Sequence, residues 1–275
     1  MDSTVERGSP LHYGALLLLS ALCLAPIVIL AITSLKTETQ IFDPSWSWFF
    51  MPTLANYRSV VEDGHLERYL VNSLVISIAS TVLTLLFGTM CAYALARFRF
   101  IGRQPLSYGT LILRTLPPAV LAVPVYVIWS AWGIGDTLSG VVLVYTALNL
   151  PFTIWLLYGF IEQVPEELEE AAAIDGCGPF QVFWRVILPL LKPGLAAAAI
   201  FTFRLAWNEF ILSFILTNRY TRTLPASISN YITDTGVEWG KITAAGVLIA
   251  LPPLVFTFVA AKQIITGLTS GAVKG

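Results

Sequence analysis

Charged residues are scarce in this chain. Only 12% of its 275 residues are Asp, Glu, Lys or Arg, whereas 56% are hydrophobic. A soluble domain carries about 25% charged residues, so this composition excludes an ordinary soluble globular protein. The mean hydropathy of +0.74 points the same way. We therefore expect an all-α integral membrane protein.

Histidine and cysteine are almost absent, and this excludes several kinds of chemistry. The two histidines and three cysteines show no metal-ligand spacing, and no H-E-x-x-H run occurs. An intramembrane enzyme therefore has no candidate residues. A proton-coupled secondary transporter remains a distant alternative, because it needs titrating groups inside the membrane and only Glu209 comes near that description.

The phosphate loop G-x-x-x-x-G-K-[ST] is also missing. The chain therefore lacks the motif with which many proteins hold ATP. Any process in which it uses ATP needs a separate ATPase polypeptide.

Long apolar runs are what the sequence does have. A helix needs about 20 apolar residues to cross the hydrocarbon. The first run follows Arg7 and could be a signal peptide, but it is long for one and ends without a clear small-x-small cleavage site, so we interpret it as a retained helix. The six predicted transmembrane helices cover residues 14–34, 70–96, 106–130, 138–161, 193–216 and 242–265.

The loops predict the orientation and the domain organisation. Arg97, Arg99 and Arg103 follow the second span, whereas the link after the third span has no Lys or Arg, so the positive-inside rule places the former in the cytoplasm. Both termini then face the cytoplasm of a multi-pass protein. The predicted segments are 1–69 (cytoplasmic start, first span and external loop), 70–266 (transmembrane domain) and 267–275 (cytoplasmic tail).

The segment 164–189, called here the acidic hairpin, has the composition of a soluble element although it lies between two apolar spans. Pro165 suits a first helical turn, Gly176 suits a helix end, and Pro179 restarts a helix. A helix lying in lipid headgroups would carry Lys and Arg, whereas this one carries glutamates, which favours docking to a basic protein partner. On the second arm, one apolar face is expected to comprise Phe180, Phe183, Trp184 and Ile187.

Several motifs in and around this hairpin match a known family. Glu170-Ala171-Ala172, then Gly176, then Leu188-Pro189 match the EAA signature of permease subunits of ATP-binding-cassette (ABC) importers, with Val186 at its isoleucine position. The chain further resembles carbohydrate importers of the maltose permease type over nearly all of its length after about residue 30. That resemblance rests on Ser34-Leu35-Lys36, Asn56-Tyr57, Asn72-Ser73, the run Ala92–Phe98, Trp207-Asn208-Glu209-Phe210 and the terminal Gly-Ala-Val-Lys-Gly.

The resemblance implies a type I ABC importer permease fold with a cytoplasmic coupling helix hairpin at about 164–189. It implies a translocation subunit, not itself an enzyme, that holds no cofactor while ATP and Mg²⁺ bind the ATPase. The implied partners are an ABC ATPase dimer, a second homologous permease, an extracytoplasmic solute-binding protein, membrane lipid and a sugar, with no nucleic acid. The implied ATPase-coupling residues are Glu166, Glu170, Ala171, Ala172, Asp175, Gly176, Phe180 and Pro189.

Polar residues inside the predicted spans are candidates for the substrate pathway, because charges in hydrocarbon usually face a cavity or a partner. Arg204, Trp207, Asn208 and Ile211 have the spacing of one helical face. An aromatic ring beside amide and guanidinium donors suits a sugar. The candidate pathway residues are Arg114, Asn149, Arg204, Trp207, Asn208 and Glu209.

Each candidate also has a plainer interpretation. Arg114, ahead of a Pro117-Pro118 pair expected to kink the third span, could pair with a neighbour, and Asn149 could cap a helix broken at Pro151. Glu209 could serve the partner permease. Arg204 keeps open a cargo that is an anionic sugar, and another small solute also remains possible.

Overall fold

The structure is a computed structural model that describes residues 10–44, 48–62, 65–234 and 236–272. Arg7 and the last three residues of the Gly-Ala-Val-Lys-Gly run lie outside these ranges. The longer elements are helices, and one short antiparallel pair joins β1 (Ile232–Thr233) to β2 (Gly236–Val237). The α-helices are α1 (Pro10–Ser34), α2 (Glu38–Ile41), α3 (Ala55–Glu62), α4 (Leu66–Arg97), α5 (Arg103–Arg114), α6 (Pro118–Ala131), α7 (Leu138–Glu162), α8 (Glu167–Ile174), α9 (Pro179–Val182), α10 (Leu188–Leu190), α11 (Lys192–Asn208), α12 (Ile211–Leu216) and α13 (Trp239–Ala272).

Six spans are present if each bent helix pair counts as one. Four of the described helices are long and apolar enough to cross a membrane, namely α1, α4, α7 and the first part of α13. Two pairs pass the same test together: α5 with α6, bent by 101°, and Pro179–Leu190 with α11, bent by 76°. These six segments confirm the predicted six-span helical fold.

The predicted spans 106–130 and 193–216 correspond to residues 103–131 and 192–216, but neither is a continuous helix. The third ends at Arg114 and restarts at Pro118, because Pro117 and Pro118 have no N–H to continue the backbone ladder. The fifth ends at Asn208, and a new helix begins at Ile211. By contrast, Pro151 lies inside the unbroken helix α7, so Asn149 does not cap a broken helix there.

One compact unit consists of the chain up to Leu66 together with Ile228–Ala250. Its core is formed by Val60, Tyr231, Ala244 and Ala245. The Asn56 amide donates hydrogen bonds to the carbonyl oxygens of Ser34 and Lys36 at 2.9 and 2.8 Å. This side chain therefore holds α3 against the end of α1.

The other unit consists of Glu67–Ser227 and the chain from Leu251 onwards. Here α7 packs against both α5 and α11, and α12 packs against α6. At the contact between α7 and α11, a Cβ on Gly194 would lie 2.7 Å from the Phe160 ring, so only glycine allows this approach. The domain boundaries predicted at 69/70 and 266/267 stay predictions.

Candidate functional site

The first arm of the acidic hairpin is a short helix with a well-defined end. Helix α8 carries three glutamates in its first turn, where the positive end of the helix dipole favours anions. Gly176 then adopts φ +88°. Its N–H donates to Ala173 O and the N–H of Cys177 donates to Ala172 O, both at 3.0 Å, which is the Schellman arrangement that closes a helix. Gly176 therefore makes the corner that the sequence predicted.

The second arm divides its aromatic residues between the core and the surface. Phe183 and Ile187 are 5% and 0% exposed, whereas Phe180 and Trp184 are 67% and 39% exposed. The single apolar face predicted for these four residues is wrong. The backbone forms a π-helical turn from Phe183 to Ile187, which shifts side chains off the α-helical spacing on which that prediction rested.

The buried side of the hairpin is continuous with the core of the larger unit. Phe183 and Ile187 share a cluster with Tyr93 of α4 and with Leu157 and Ile161 of α7. Val182, Leu191 and Ala198 extend the same cluster into α11. The buried side of the hairpin therefore packs against α4, α7 and α11.

The predicted coupling residues fall mostly on the outer side of the hairpin. Ala172 is the exception, because it packs against the buried cluster. The residues Glu166, Glu170, Ala171, Asp175, Gly176, Phe180 and Pro189 are all exposed. The outer side therefore combines three carboxylates with small and aromatic apolar groups.

An ion pair that the sequence did not predict joins the hairpin to α4. Arg97 Nε lies 2.5 Å from Glu169 Oε1, and the Tyr93 hydroxyl donates to Glu169 Oε2 at 2.7 Å. In the sequence, Arg97 is distinguished only by its place among the positive residues after the second span and in the run Ala92–Phe98. No local pattern distinguishes Glu169 from the neighbouring glutamates.

A cavity of about 220 Å³ lies where α5 gives way to α6. Three predicted pathway residues, Arg114, Asn149 and Glu209, line it together with Tyr145 and Phe152. The Arg114 guanidinium lies 4.7 Å from the Phe152 ring centroid, a cation–π contact. Asn149 is 7% exposed. The cavity therefore brings a guanidinium, an amide, a carboxylate and aromatic surface close together.

Glu209 has partners within this chain. Its carboxylate accepts hydrogen bonds from the backbone N–H groups of Leu212 and Ser213 and from the Tyr145 hydroxyl. Three donors converge on this one group, so it caps the first turn of α12. Glu209 therefore has a capping role inside the fold, while its contact with a partner permease stays a prediction.

The other three pathway candidates are not among the residues that line this cavity, although Leu205, Ala206 and Glu209 beside them are. Trp207 is 1% exposed and stacks on Phe203 with ring centroids 5.7 Å apart, so its ring cannot stack on a sugar here. Arg204 and Asn208 are exposed. Because α11 ends at Asn208, the helical spacing that was to carry the common face to Ile211 does not apply.

Within the described ranges, no group of three or more His, Cys, Asp or Glu side chains could hold a metal ion.

Comparisons with known proteins give a consistent result. Residues 84–268 match the family described as binding-protein-dependent transport system inner membrane component. The sulfoquinovosyl glycerol transport system permease protein SmoH of Agrobacterium fabrum is 35% identical, covering 99% of this chain and 96% of the relative. The trehalose transport system permease protein SugB of Mycobacterium tuberculosis is 38% identical, covering 81% of this chain and 82% of the relative.

Solved structures share the fold at lower identity. A bacterial ABC transporter involved in the import of the acidic polysaccharide alginate matches with a TM-score of 0.74 at 20% identity, covering 96% of this chain and 98% of that chain. The MetNI methionine ABC transporter matches with a TM-score of 0.62 at 20% identity, covering 74% and 95%. Together with the matched family and the EAA hairpin, these comparisons establish that the chain belongs to the binding-protein-dependent transport system inner membrane component family, the multi-pass permease subunits of ABC transporters.

Proposed function

We propose that the chain is the translocation-pore subunit of an ATP-driven importer for a sugar or sugar derivative. The observation that carries the proposal is the acidic hairpin, which exposes carboxylates and apolar groups on one side and is packed on the other side into a cluster with α4, α7 and α11. Such an element can bind a partner on its exposed side and transmit the partner's movement to the spans through its packed side. The named cargoes of relatives, sulfoquinovosyl glycerol and trehalose, support a sugar.

The energy is supplied by a separate ATPase dimer, which holds the ATP and Mg²⁺, while this chain contributes no catalytic group. A second homologous permease completes the pore, and an extracytoplasmic solute-binding protein delivers the cargo. In this arrangement the acidic hairpin and both termini face the cytoplasm. The positive residues Arg97, Arg99 and Arg103 beside the hairpin support that orientation.

Docking is expected to use the outer side of the acidic hairpin. Glu166, Glu170 and Asp175 would meet basic residues of the ATPase, while Ala171 and Phe180 fill an apolar part of its cleft. Ala172, Gly176 and Pro189 fix the shape that presents these groups. Closure of the ATPase dimer would move the attached spans as one body and switch the pore between inward and outward access.

A second candidate is the same importer with an anionic sugar as cargo. The observation that favours it is the state of two guanidinium groups: among the described residues, neither Arg114 nor Arg204 forms an ion pair with a carboxylate. Arg114 lies over Phe152 in the cavity, and Arg204 lies 6.0 Å from the Phe201 ring. A cation at membrane depth usually faces a cavity or a partner, and an anionic substituent would satisfy it.

The test is purification of the tagged chain from its native host with mass spectrometry of stoichiometric companions, followed by uptake assays in proteoliposomes. Co-purification of an ATPase, a second permease and a binding protein, with ATP-dependent uptake of a sugar, is the expected result. Isolation as a single chain that transports without ATP would reject the importer. For the second candidate, Arg204→Leu should weaken uptake of an acidic sugar and spare a neutral one; unchanged selection would remove Arg204 from recognition.

A further inference from the structure

Arg97, the last residue of α4, has its side chain directed into the base of the acidic hairpin. Only 9% of this side chain is exposed. Its Nη2 donates hydrogen bonds to the carbonyl oxygens of Ile161 and Val164 at 3.0 and 2.6 Å, while its Nε donates to Glu169 at 2.5 Å. One guanidinium thus contacts three consecutive parts of the chain: the end of α7, the connecting segment and the start of α8.

The chemistry of these contacts fixes the angle between two helices. The carbonyl groups at the end of α7 form the negative end of its dipole, and the Ile161 carbonyl accepts both the Val164 N–H and the Arg97 guanidinium at 3.0 Å. Glu169 lies in the first turn of α8, at the positive end of the α8 dipole. A planar guanidinium with its donors in a fixed fork satisfies both ends at once, which a flexible ammonium group would not do equally well.

Tyr93 completes the cluster from one helical turn earlier on α4. Its hydroxyl donates a hydrogen bond to the second carboxylate oxygen of Glu169, and its ring centroid lies 5.2 Å from that of Phe183 in the other arm of the hairpin. Both arms are therefore tied to the same turn of α4.

The glutamates of α8 and its N-cap are thereby divided into two kinds. Glu169 has a side chain that is 15% exposed with both oxygens engaged, whereas the Glu166 side chain is 74% exposed and only approaches Arg97 Nη1 to 3.8 Å. Glu170 is also exposed. A carboxylate whose oxygens are both engaged inside the fold is poorly placed to meet a partner, so Glu169 differs in role from the exposed glutamates beside it.

We propose that Arg97 and Glu169 are positioning residues that lock the acidic hairpin to α4 and α7, so that a displacement imposed on the hairpin reaches the spans without loss. This inference rests on the proposed function, because it assigns the parts that transmit the movement. Without the lock, the hairpin still presents its outer carboxylates and still docks. It then turns relative to the spans when the ATPase closes, and ATP is hydrolysed without transport.

The experiment uses the complete importer, reconstituted in proteoliposomes with its binding protein, and measures ATP hydrolysis and sugar uptake on the same sample. Arg97→Gln leaves the largely buried Glu169 without its charged partner, and Glu169→Gln leaves Arg97 only the exposed Glu166, whose carboxylate lies 3.8 Å from Arg97 Nη1. We expect the ATP hydrolysed per sugar imported to rise at least about tenfold in either variant, because breaking a buried ion pair is strongly unfavourable. Tyr93→Phe should raise the same ratio by about two- to threefold, since it removes one hydrogen bond.

Two comparisons separate positioning from folding and from docking. The double variant Arg97→Gln with Glu169→Gln removes both charges of the largely buried pair and leaves only the exposed Glu166 without Arg97, so its ratio should be no worse than that of either single variant. The control Glu167→Gln removes an exposed carboxylate two residues from Glu169 and should leave the ratio unchanged. The amount of ATPase that co-purifies should be the same for all these variants.

Three outcomes would overturn the inference. They are an unchanged ratio in Glu169→Gln, loss of ATPase binding in the single variants, or a double variant whose defects simply add. If the unmodified complex shows no ATP-dependent uptake, the proposed function itself fails, and this result is distinguishable because it precedes any substitution.

Discussion

The Tyr145 hydroxyl donates a hydrogen bond to the Glu209 carboxylate at an oxygen–oxygen distance of 2.8 Å, and this contact ties α7 to the break between α11 and α12. The same carboxylate accepts the backbone N–H of Leu212 at 3.0 Å. Removing the Glu209 carboxylate should therefore lower the free energy of unfolding more than removing the Tyr145 hydroxyl does.

We expect Tyr145→Phe to lower the free energy of unfolding by about 1 kcal/mol, because one hydrogen bond to a charged group is lost. Glu209→Leu should lower it by about 2 kcal/mol or more, because it also strips the cap from α12. Thermal unfolding of the detergent-purified protein measures both. Tyr108→Phe is the matched control, since Tyr108 is 64% exposed. Equal melting temperatures for Tyr145→Phe and Tyr108→Phe would show that the hydrogen bond from Tyr145 to Glu209 does not stabilise the fold.

Charge reversal on the outer side of the hairpin tests docking. Glu170→Lys places a cation where the proposed ATPase surface is basic, so uptake should fall at least about tenfold through like-charge repulsion. Binding of the cargo by the separate solute-binding protein should not change. Uptake in proteoliposomes and ATPase co-purification are the measurements. Glu67→Lys makes the same charge change at an exposed site in α4 outside the hairpin; similar loss in both variants would point to a general charge effect and against docking.

The corner of the hairpin depends on one glycine. Gly176→Pro removes an N–H that donates to Ala173 and cannot adopt φ +88°, so uptake should be abolished. Gly176→Asn should retain a substantial part of the uptake, because asparagine tolerates the left-handed conformation. Gly178→Ala is the control: its φ is −72° and nothing lies within 4 Å of an added Cβ. If Gly176→Pro transported normally, the corner would have no part in coupling.

Close packing of α7 on α11 gives a stability prediction. Gly194→Ala brings a Cβ to 2.7 Å from the Phe160 ring, which should cost about 1–3 kcal/mol of unfolding free energy through overpacking. Gly159→Ala places the same methyl group in open space in the last turn of α7 and should raise stability by about 0.5–1 kcal/mol. Melting temperatures that shift in the same direction for both variants would argue against this contact.

Much of the fold follows from local chemistry and was predictable. Apolar runs of sufficient length give the spans, the Pro117-Pro118 pair gives the break in the third span, and Gly176 gives the corner of the hairpin. Each of these features depends on residues adjacent in the sequence. The EAA signature points to the same hairpin.

The features that were missed depend on contacts over long distances in the sequence. Arg97 and Glu169 are 72 residues apart, and Tyr145 and Glu209 are 64 apart, so no spacing pattern connects them. The break at Glu209 contains neither glycine nor proline; a side chain capping the next helix produces it. For Trp207, helical spacing indicated which residues share its face but not that Phe203 and its neighbours would cover the ring.

The 101° bend between α5 and α6 has a consequence for how this protein enters the membrane. With 12 and 14 residues, the two helices are about 18 and 21 Å long, and a hydrocarbon layer is about 30 Å thick. Neither piece is long enough to act as an independent stop-transfer signal, and α5 has an arginine at each end. Since α5 packs along α7, we expect this region to be held at the translocon until α7 has been synthesised, so that the three helices leave it as a single insertion unit.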